Sequence, residues 1–226
     1  MTPRRDLQLR CALSDRADLR DGRLRALIKE VYSPKTMSWR LPFGRRSASD
    51  AEQRSRWEVA MALYAFHRLG VLDGKAAALV VGPQSGPAVD WLSARTDRLR
   101  SLQDPVSALA IDEEEGSFGA IQCSRTIERL GERDEARRAC LELHRVLRPG
   151  GVAALSASFR LEGPAPGPPG LLLLDEPELR AAALGEGLTW AIASPLDLSA
   201  SHPLMERRGR HAWTSVHLLL VKPLFH

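Results

Sequence analysis

The chain is short of several things, and each shortage removes a class of protein. It has three cysteines in 226 residues, Cys11, Cys123 and Cys140. No Cys-x-x-Cys pair is among them, so a disulfide framework is excluded, and no clustered Cys, His or carboxylate set marks a metal site. No apolar run approaches the ~18 residues that a membrane-spanning helix needs. Arg4 and Arg5 precede no apolar stretch, which gives the expectation of no secretory signal and a reducing, cytoplasmic setting. Lysine is scarce as well, since only Lys29, Lys35, Lys75 and Lys222 stand among 32 basic residues. An arginine bias of this kind, beside abundant Ala, Gly, Leu and Pro, accords with GC-rich coding. It argues against reading the net charge of +4 as a sign of nucleic-acid binding.

The charge that is present lies unevenly. Residues 1–56 hold 14 Lys and Arg against 7 Asp and Glu, a balance of +7; the rest hold 18 against 21, a balance of −3. Residues 1–50 therefore read as a basic amino-terminal extension, irregular except for one helical piece. In that piece Leu19, Leu24, Leu27, Ile28 and Val31 fall near helical spacing and Ser33-Pro34 ends the pattern. Lys35–Asp50, with Pro42, Gly44 and Arg45-Arg46, reads as a loop or lid.

Residues 51–226 read as one domain in which helices and strands alternate. A helix is expected over Glu52–Leu69, stopped by Gly70. Lys75–Val81 is a short apolar run ending at Gly82, the pattern of a strand buried on both faces. Gly86-Pro87 opens a further helix that Val89, Leu92, Leu99 and Leu102 carry to Asp104-Pro105. Strands are expected at Val106–Ile111, Phe118–Ser124, Val152–Ser158, Leu188–Ala193 and Val216–Val221. Helices are expected at Arg133–Arg148 and Pro177–Leu184. Gly163–Gly170 is too rich in proline and glycine for regular structure. Together these predict an α/β fold with a mainly parallel sheet flanked by helices.

In such a sheet ligands bind beyond the carboxyl ends of the strands. The turn Val81-Gly82-Pro83-Gln84-Ser85-Gly86 is the first candidate, because glycine lets backbone approach a ligand and free N–H groups favour an anion. The alternative is a tight strand-to-helix turn with no ligand. The acidic loop Asp112–Glu115 is likewise either a site or a solvated loop. Trp57 and Tyr64 either line a pocket or pack in the core.

One constellation is more specific. GSFGAIQCSRTIERLG, then a helix, then LHRVLRPGGVAALS resembles the class I S-adenosylmethionine-dependent methyltransferases, over roughly residues 54–160. The resemblance implies a Rossmann-like methyltransferase fold and S-adenosylmethionine as cofactor. It places Gly82 and Gly86 at the first and last glycines of the cofactor loop, with Gln84 at the middle glycine and Val80 where an acidic residue is usual. Residues 82–117 number 36, too few for the three helices and two strands of the full layout, which need roughly 60. The ribose-side edge is therefore expected to be contracted by at least one strand. The carboxylate that would hold the ribose hydroxyls is Asp112 or Glu113 if Val106–Ile111 is a strand, and Asp104 if Leu99–Gln103 is one instead. Gln122, Ser124, Arg125 and Glu128 follow the fourth strand of that layout. Gln122 is expected as a cofactor contact, and Glu128 and Ser124 as the candidate base and orienting group.

The leading expectation is methyl transfer from S-adenosylmethionine to a small-molecule acceptor, such as a hydroxyl-bearing natural product or sugar. A degenerate relative that serves as a binding or assembly subunit is the alternative, alone as a homodimer or with a partner protein. An RNA methyltransferase is a second alternative, weakened because Ser124-Arg125-Thr126-Ile127 stands where an Asn/Asp-Pro-Pro-Tyr motif would. No membrane partner is expected.

Overall fold

The computed structural model describes residues 9–32, 48–72, 76–83, 86–165, 167–185 and 188–224. Most of the expected lid, Lys35–Asp50, and Gln84 lie outside them. In chain order the elements are β1 (Cys11–Leu13), α1 (Gly22–Val31), α2 (Asp50–Arg68), β2 (Ala77–Val81), α3 (Gly86–Ser93), β3 (Arg98–Leu102) and β4 (Phe118–Ser124). There follow α4 (Arg133–Val146), β5 (Leu147–Glu162), α5 (Glu176–Leu184), β6 (Ala191–Ile192), β7 (Leu196–Asp197), β8 (Glu206–Arg208) and β9 (His211–Val221). They form one sheet in the order β3-β2-β4-β5-β9-β1-β7, with β6 and β8 also paired to β9. The four strands from β3 to β5 run parallel, and β9 returns antiparallel along β5. The sheet is thus mixed and mainly parallel where the site candidates lie.

Local chemistry explains most of these elements. A capping box between Ser49 and Glu52 starts α2, satisfying two backbone donors that the helix leaves open. Every residue from Trp57 to Phe66 is buried, so this helix is covered on all sides. α1 and Leu204 cover one flank, where Leu24, Trp57, Met61 and Tyr64 form a small cluster of their own. Trp57 and Tyr64 accordingly pack in the core. In α4 the buried residues are Ala136, Ala139, Cys140, Leu143 and Val146, a single helical stripe. In β2 Ala78, Leu79, Val80 and Val81 have no exposed surface, as a strand between two helical layers requires. α1 packs with α2 and α3, and α4 with α5.

Among the described residues between β2 and β4 only one strand is present, β3, and it is the outermost. The contraction expected at this edge is therefore found. Three expectations are corrected. The helix after Gly86 ends at Ser93, and Leu99 and Leu102 belong to β3, where they pair with Ala78 and Val81. Their i, i+3 spacing fits a helix, but pairing with a fully buried strand prevails. Val106–Ile111 is no strand, because Asp104 caps and Pro105 opens a 3-10 helix over Pro105–Leu109, and Pro is pre-set for that first position. Finally, Cys11–Leu13 is not irregular chain: it is a buried strand between β9 and β7.

Candidate functional site

Strands β2, β3 and β4 end side by side. Gly82 leaves β2 with φ +133° and its N–H donates to the Leu102 carbonyl of β3 at 2.9 Å. A Cβ at Gly82 would lie 2.0 Å from the Ser124 carbonyl oxygen. Only glycine fits there, because both the dihedral and the contact forbid a side chain. β4 ends in a second strained turn. Arg125 has φ +56°, in the left-handed region that a bulky residue occupies at a cost. It is held by its N–H on Ser156 O and by a guanidinium contact with Glu206, both at 3.4 Å.

α2 crosses the same strand ends. Glu58 and Val59 of α2, with Val81, Gly82, Gln122 and Ser124, enclose a cavity of about 10 Å³, close to the smallest that holds one water. Around it lies a set of buried charges. Arg54 reaches Glu206, and its Nε is 3.8 Å from Glu58. Glu58 accepts from the Ser215 hydroxyl, and Glu128 accepts from Ser158 Oγ at 3.2 Å. Gln122 donates to Ser124 Oγ at 2.6 Å. Five buried atoms of this group have no hydrogen-bond partner among the described residues: Arg54 Nε and Nη1, Glu58 Oε2, Gln122 Oε1 and Glu128 Oε2. A buried polar atom left so costs roughly 1–3 kcal/mol, so this end of the sheet is held against its own stability.

The electrostatics follow from that burial. Desolvation pushes the Glu128 carboxyl up to about 7, and the nearby negative charge of Glu58 adds to the rise, while Arg125 and Arg54 oppose it. At neutral pH Glu128 therefore exchanges a proton. His217 of β9, buried beside Ser156 and edge-on to Trp57, is pushed down to about 4 by desolvation, with the Arg10 charge adding to the fall. It is neutral wherever the protein is folded at physiological pH.

The structure brings Gly82, Gln122 and Ser124 together around the cavity and sets Glu128 beside Glu58. Asp104 follows β3 by two residues and is exposed, one carboxylate oxygen accepting the Val106 N–H at 3.1 Å. Gly86 is the first residue of α3, and nothing lies within 4 Å of where its Cβ would stand, so no close approach requires glycine there. Asp112 lies in the loop that leads into β4, where its carbonyl accepts from Arg100 at the middle of β3. Glu113 goes with it, paired to Arg98 and Arg100. With Val106–Ile111 not a strand and Leu99–Leu102 in β3, the arrangement is the one for which the sequence offered Asp104 as the candidate carboxylate. Sequence reasoning missed Arg54, Glu58, Glu206 and Ser215. A signal for two of them existed, since Arg54 and Glu58 stand four apart in a helix that is apolar from Val59 to Phe66.

The residues fit an S-adenosyl cofactor on one side only. An exposed carboxylate at the tip of β3, tied through Leu102 to the glycine turn of β2, meets the demand of two vicinal hydroxyls. On the α2 side, a water-sized space contrasts with the ~300–1,000 Å³ of small-molecule sites.

No protein-family model matches the chain, and no curated protein does. Solved structures do match. One from Galdieria sulphuraria, assigned as a sarcosine dimethylglycine methyltransferase, has a TM-score of 0.52 at 12% identity, over 77% of this chain and 88% of that one. The [4+2]-cyclase SpnF has a TM-score of 0.53 at 16% identity, over 89% and 93%. A protein from Bacillus halodurans, assigned as a methyltransferase, has 0.50 at 13%, over 71% and 98%. The fold is that of the class I methyltransferases. Within this fold Gly82 follows β2 directly, Asp104 follows β3 by two residues, and β3 alone represents the contracted edge. Among the described residues no helix is long and apolar enough to cross a membrane.

Proposed function

We propose that the chain binds an S-adenosyl compound across the tips of β2 and β3 and transfers a methyl group to a small-molecule acceptor. The observation that carries this is the juxtaposition of the Gly82 turn with Asp104, joined by the Gly82 N–H to Leu102 O bond in a methyltransferase fold. S-adenosylmethionine, when bound, supplies the electrophilic methyl group. Asp104 accepts hydrogen bonds from the ribose hydroxyls, and Gly82 presents backbone without a side chain. Glu128, with its carboxyl near neutrality, holds or releases the proton that an oxygen or nitrogen acceptor gives up. Ser124 and Gln122 orient groups at the same strand end.

A second reading, a binding subunit without methyl transfer, is favoured by one observation. The Arg54–Glu58 turn of α2 leaves only about 10 Å³ beside Gly82, so the amino-acid part of the cofactor enters only if that turn shifts. Calorimetric titration with S-adenosylhomocysteine separates the two. The leading reading expects saturable binding that Asp104→Ala weakens at least ~10-fold, one 1.4 kcal/mol step. Absence of binding at ~1 mM, the weakest affinity class considered, would leave the second reading in its place.

A further inference from the structure

A separate groove lies between α1 and α2, about 520 Å³ in volume and lined by Leu19, Arg25, Ala26, Ile28, Lys29 and Arg56. It shares a helix with the candidate site but not a face, because Arg56 and Glu58, two residues apart on α2, point to nearly opposite sides. Its volume falls in the ~300–1,000 Å³ range of small-molecule sites, and its floor of Leu19, Ala26 and Ile28 is apolar. Its charge is of one sign. Arg25 and Lys29 stand one turn apart on α1, a like-charged pair that weakens a helix. Arg56 faces them with its guanidinium 5.4 Å from the Tyr32 ring centroid. No carboxylate of the described residues lies within 4.0 Å of any of the three.

Elsewhere Arg16 pairs with Asp50, Arg95 with Glu30, Arg145 with Glu142 and Arg207 with Glu162. The groove is set apart by bringing three such cations together around one apolar floor. We infer that the α1–α2 groove binds a small amphipathic anion: an aromatic or short acyl body carrying a phosphate or carboxylate. The apolar part lies on Leu19, Ala26 and Ile28, and the anionic group is shared by Arg25, Lys29 and Arg56. Three cations and an apolar floor are complementary to such a molecule, whereas inorganic phosphate uses only the charges and a neutral aromatic only the floor.

The test is calorimetry on the full chain with 1-naphthyl phosphate, 1-naphthol and inorganic phosphate. Naphthyl phosphate is expected to bind at least ~10-fold more tightly than either comparison, one 1.4 kcal/mol step. Arg25→Glu with Lys29→Glu removes that advantage while S-adenosylhomocysteine binding stays unchanged, which separates this groove from the strand-tip site. Both positions are exposed, and Arg56→Gln gives a milder variant for comparison at the same melting temperature. Equal affinity for inorganic phosphate overturns the amphipathic assignment. So does an affinity that the charge reversal leaves within twofold. Steeply salt-dependent binding of a decameric polyadenylate, lost in the double variant while naphthyl phosphate fails to bind, assigns the cations to nucleic acid and overturns it too.

Discussion

At the amino end of β3 and β4, charged side chains are partly exposed and matched. Glu113 meets Arg98 and Arg100, and Arg145 joins Glu142 while donating to the carbonyls of Ile111 and Glu113 at 2.8 Å. At the carboxyl end of the parallel strands the same residue types are buried, and Arg54, Glu58 and Glu128 each keep an atom with no partner. One end is solvated and paired, and the other is buried and incompletely paired. Solvated pairs contribute little to stability and lose little when broken. Buried charges contribute less than apolar residues would, yet removing one partner strands the others. A fold that carries such a cluster next to its glycine turn holds that end at a cost in stability.

The comparison can be broken most directly at Arg54. Arg54→Ala leaves Glu58 and Glu206 without their buried cation and is expected to cost about 3–5 kcal/mol, read from urea unfolding. A loss below ~1 kcal/mol would make this end behave like the amino end and remove the distinction.

Titration sharpens it next. Glu128 is raised to about 7 from an ordinary value of 4.5, so the folded state holds a proton that the unfolded state has released. Its contribution is fully present below pH 4.5 and is lost as pH rises to about 7, a change on the order of 3 kcal/mol. His217 is lowered to about 4 from 6.5, so here the unfolded state binds the extra proton, and stability is lost as pH falls from 6.5 to 4. The two slopes oppose each other between pH 4.5 and 6.5. Glu128→Gln is expected to expose the His217 slope, with stability falling toward acid. His217→Phe exposes the other, with stability falling toward neutrality. Unfolding midpoints across that range settle the matter: a Glu128→Gln profile identical to the parent's rules out the raised carboxyl.

The smallest effects belong to the amino end. Arg145→Ala removes two bonds to carbonyls and is expected to cost about 1–2 kcal/mol. Arg100→Ala, losing a half-exposed pair, is expected to cost less than ~1 kcal/mol. Differential scanning calorimetry on the two variants orders them, and an Arg100 effect as large as that of Arg54 would erase the contrast.

Much of the fold was legible where local and long-range preferences agree. Phe118–Ser124 is a strand in both the reading and the structure, because it is apolar, bounded by turns and buried on both faces. The helices α4 and α5 were equally plain. The contracted edge followed from counting residues. What was not legible depended on distant partners. Leu99 and Leu102 read as helix until β2 is placed beside them, and Cys11–Leu13 is too short to show a period. Val106–Ile111 has strand composition, but Asp104-Pro105 gives it a helical start. That local override is why the proposed site uses Asp104 rather than Asp112. The charged cluster was hidden for another reason: Glu206 and Ser215 reach it from beyond residue 200, where no motif marks them.

The shortening of the sheet has one more consequence. Among the described residues no strand lies outside β3, so it turns a row of N–H and C=O groups outward along ~17 Å, an open template for a strand of another copy. Five residues are too few to give a neighbour much purchase, and Arg98 and Arg100 stand on that strand. Any copy that approached in register would have to bring its own arginines against them, so the edge is guarded against aggregation by the charges that also fasten the loop before β4.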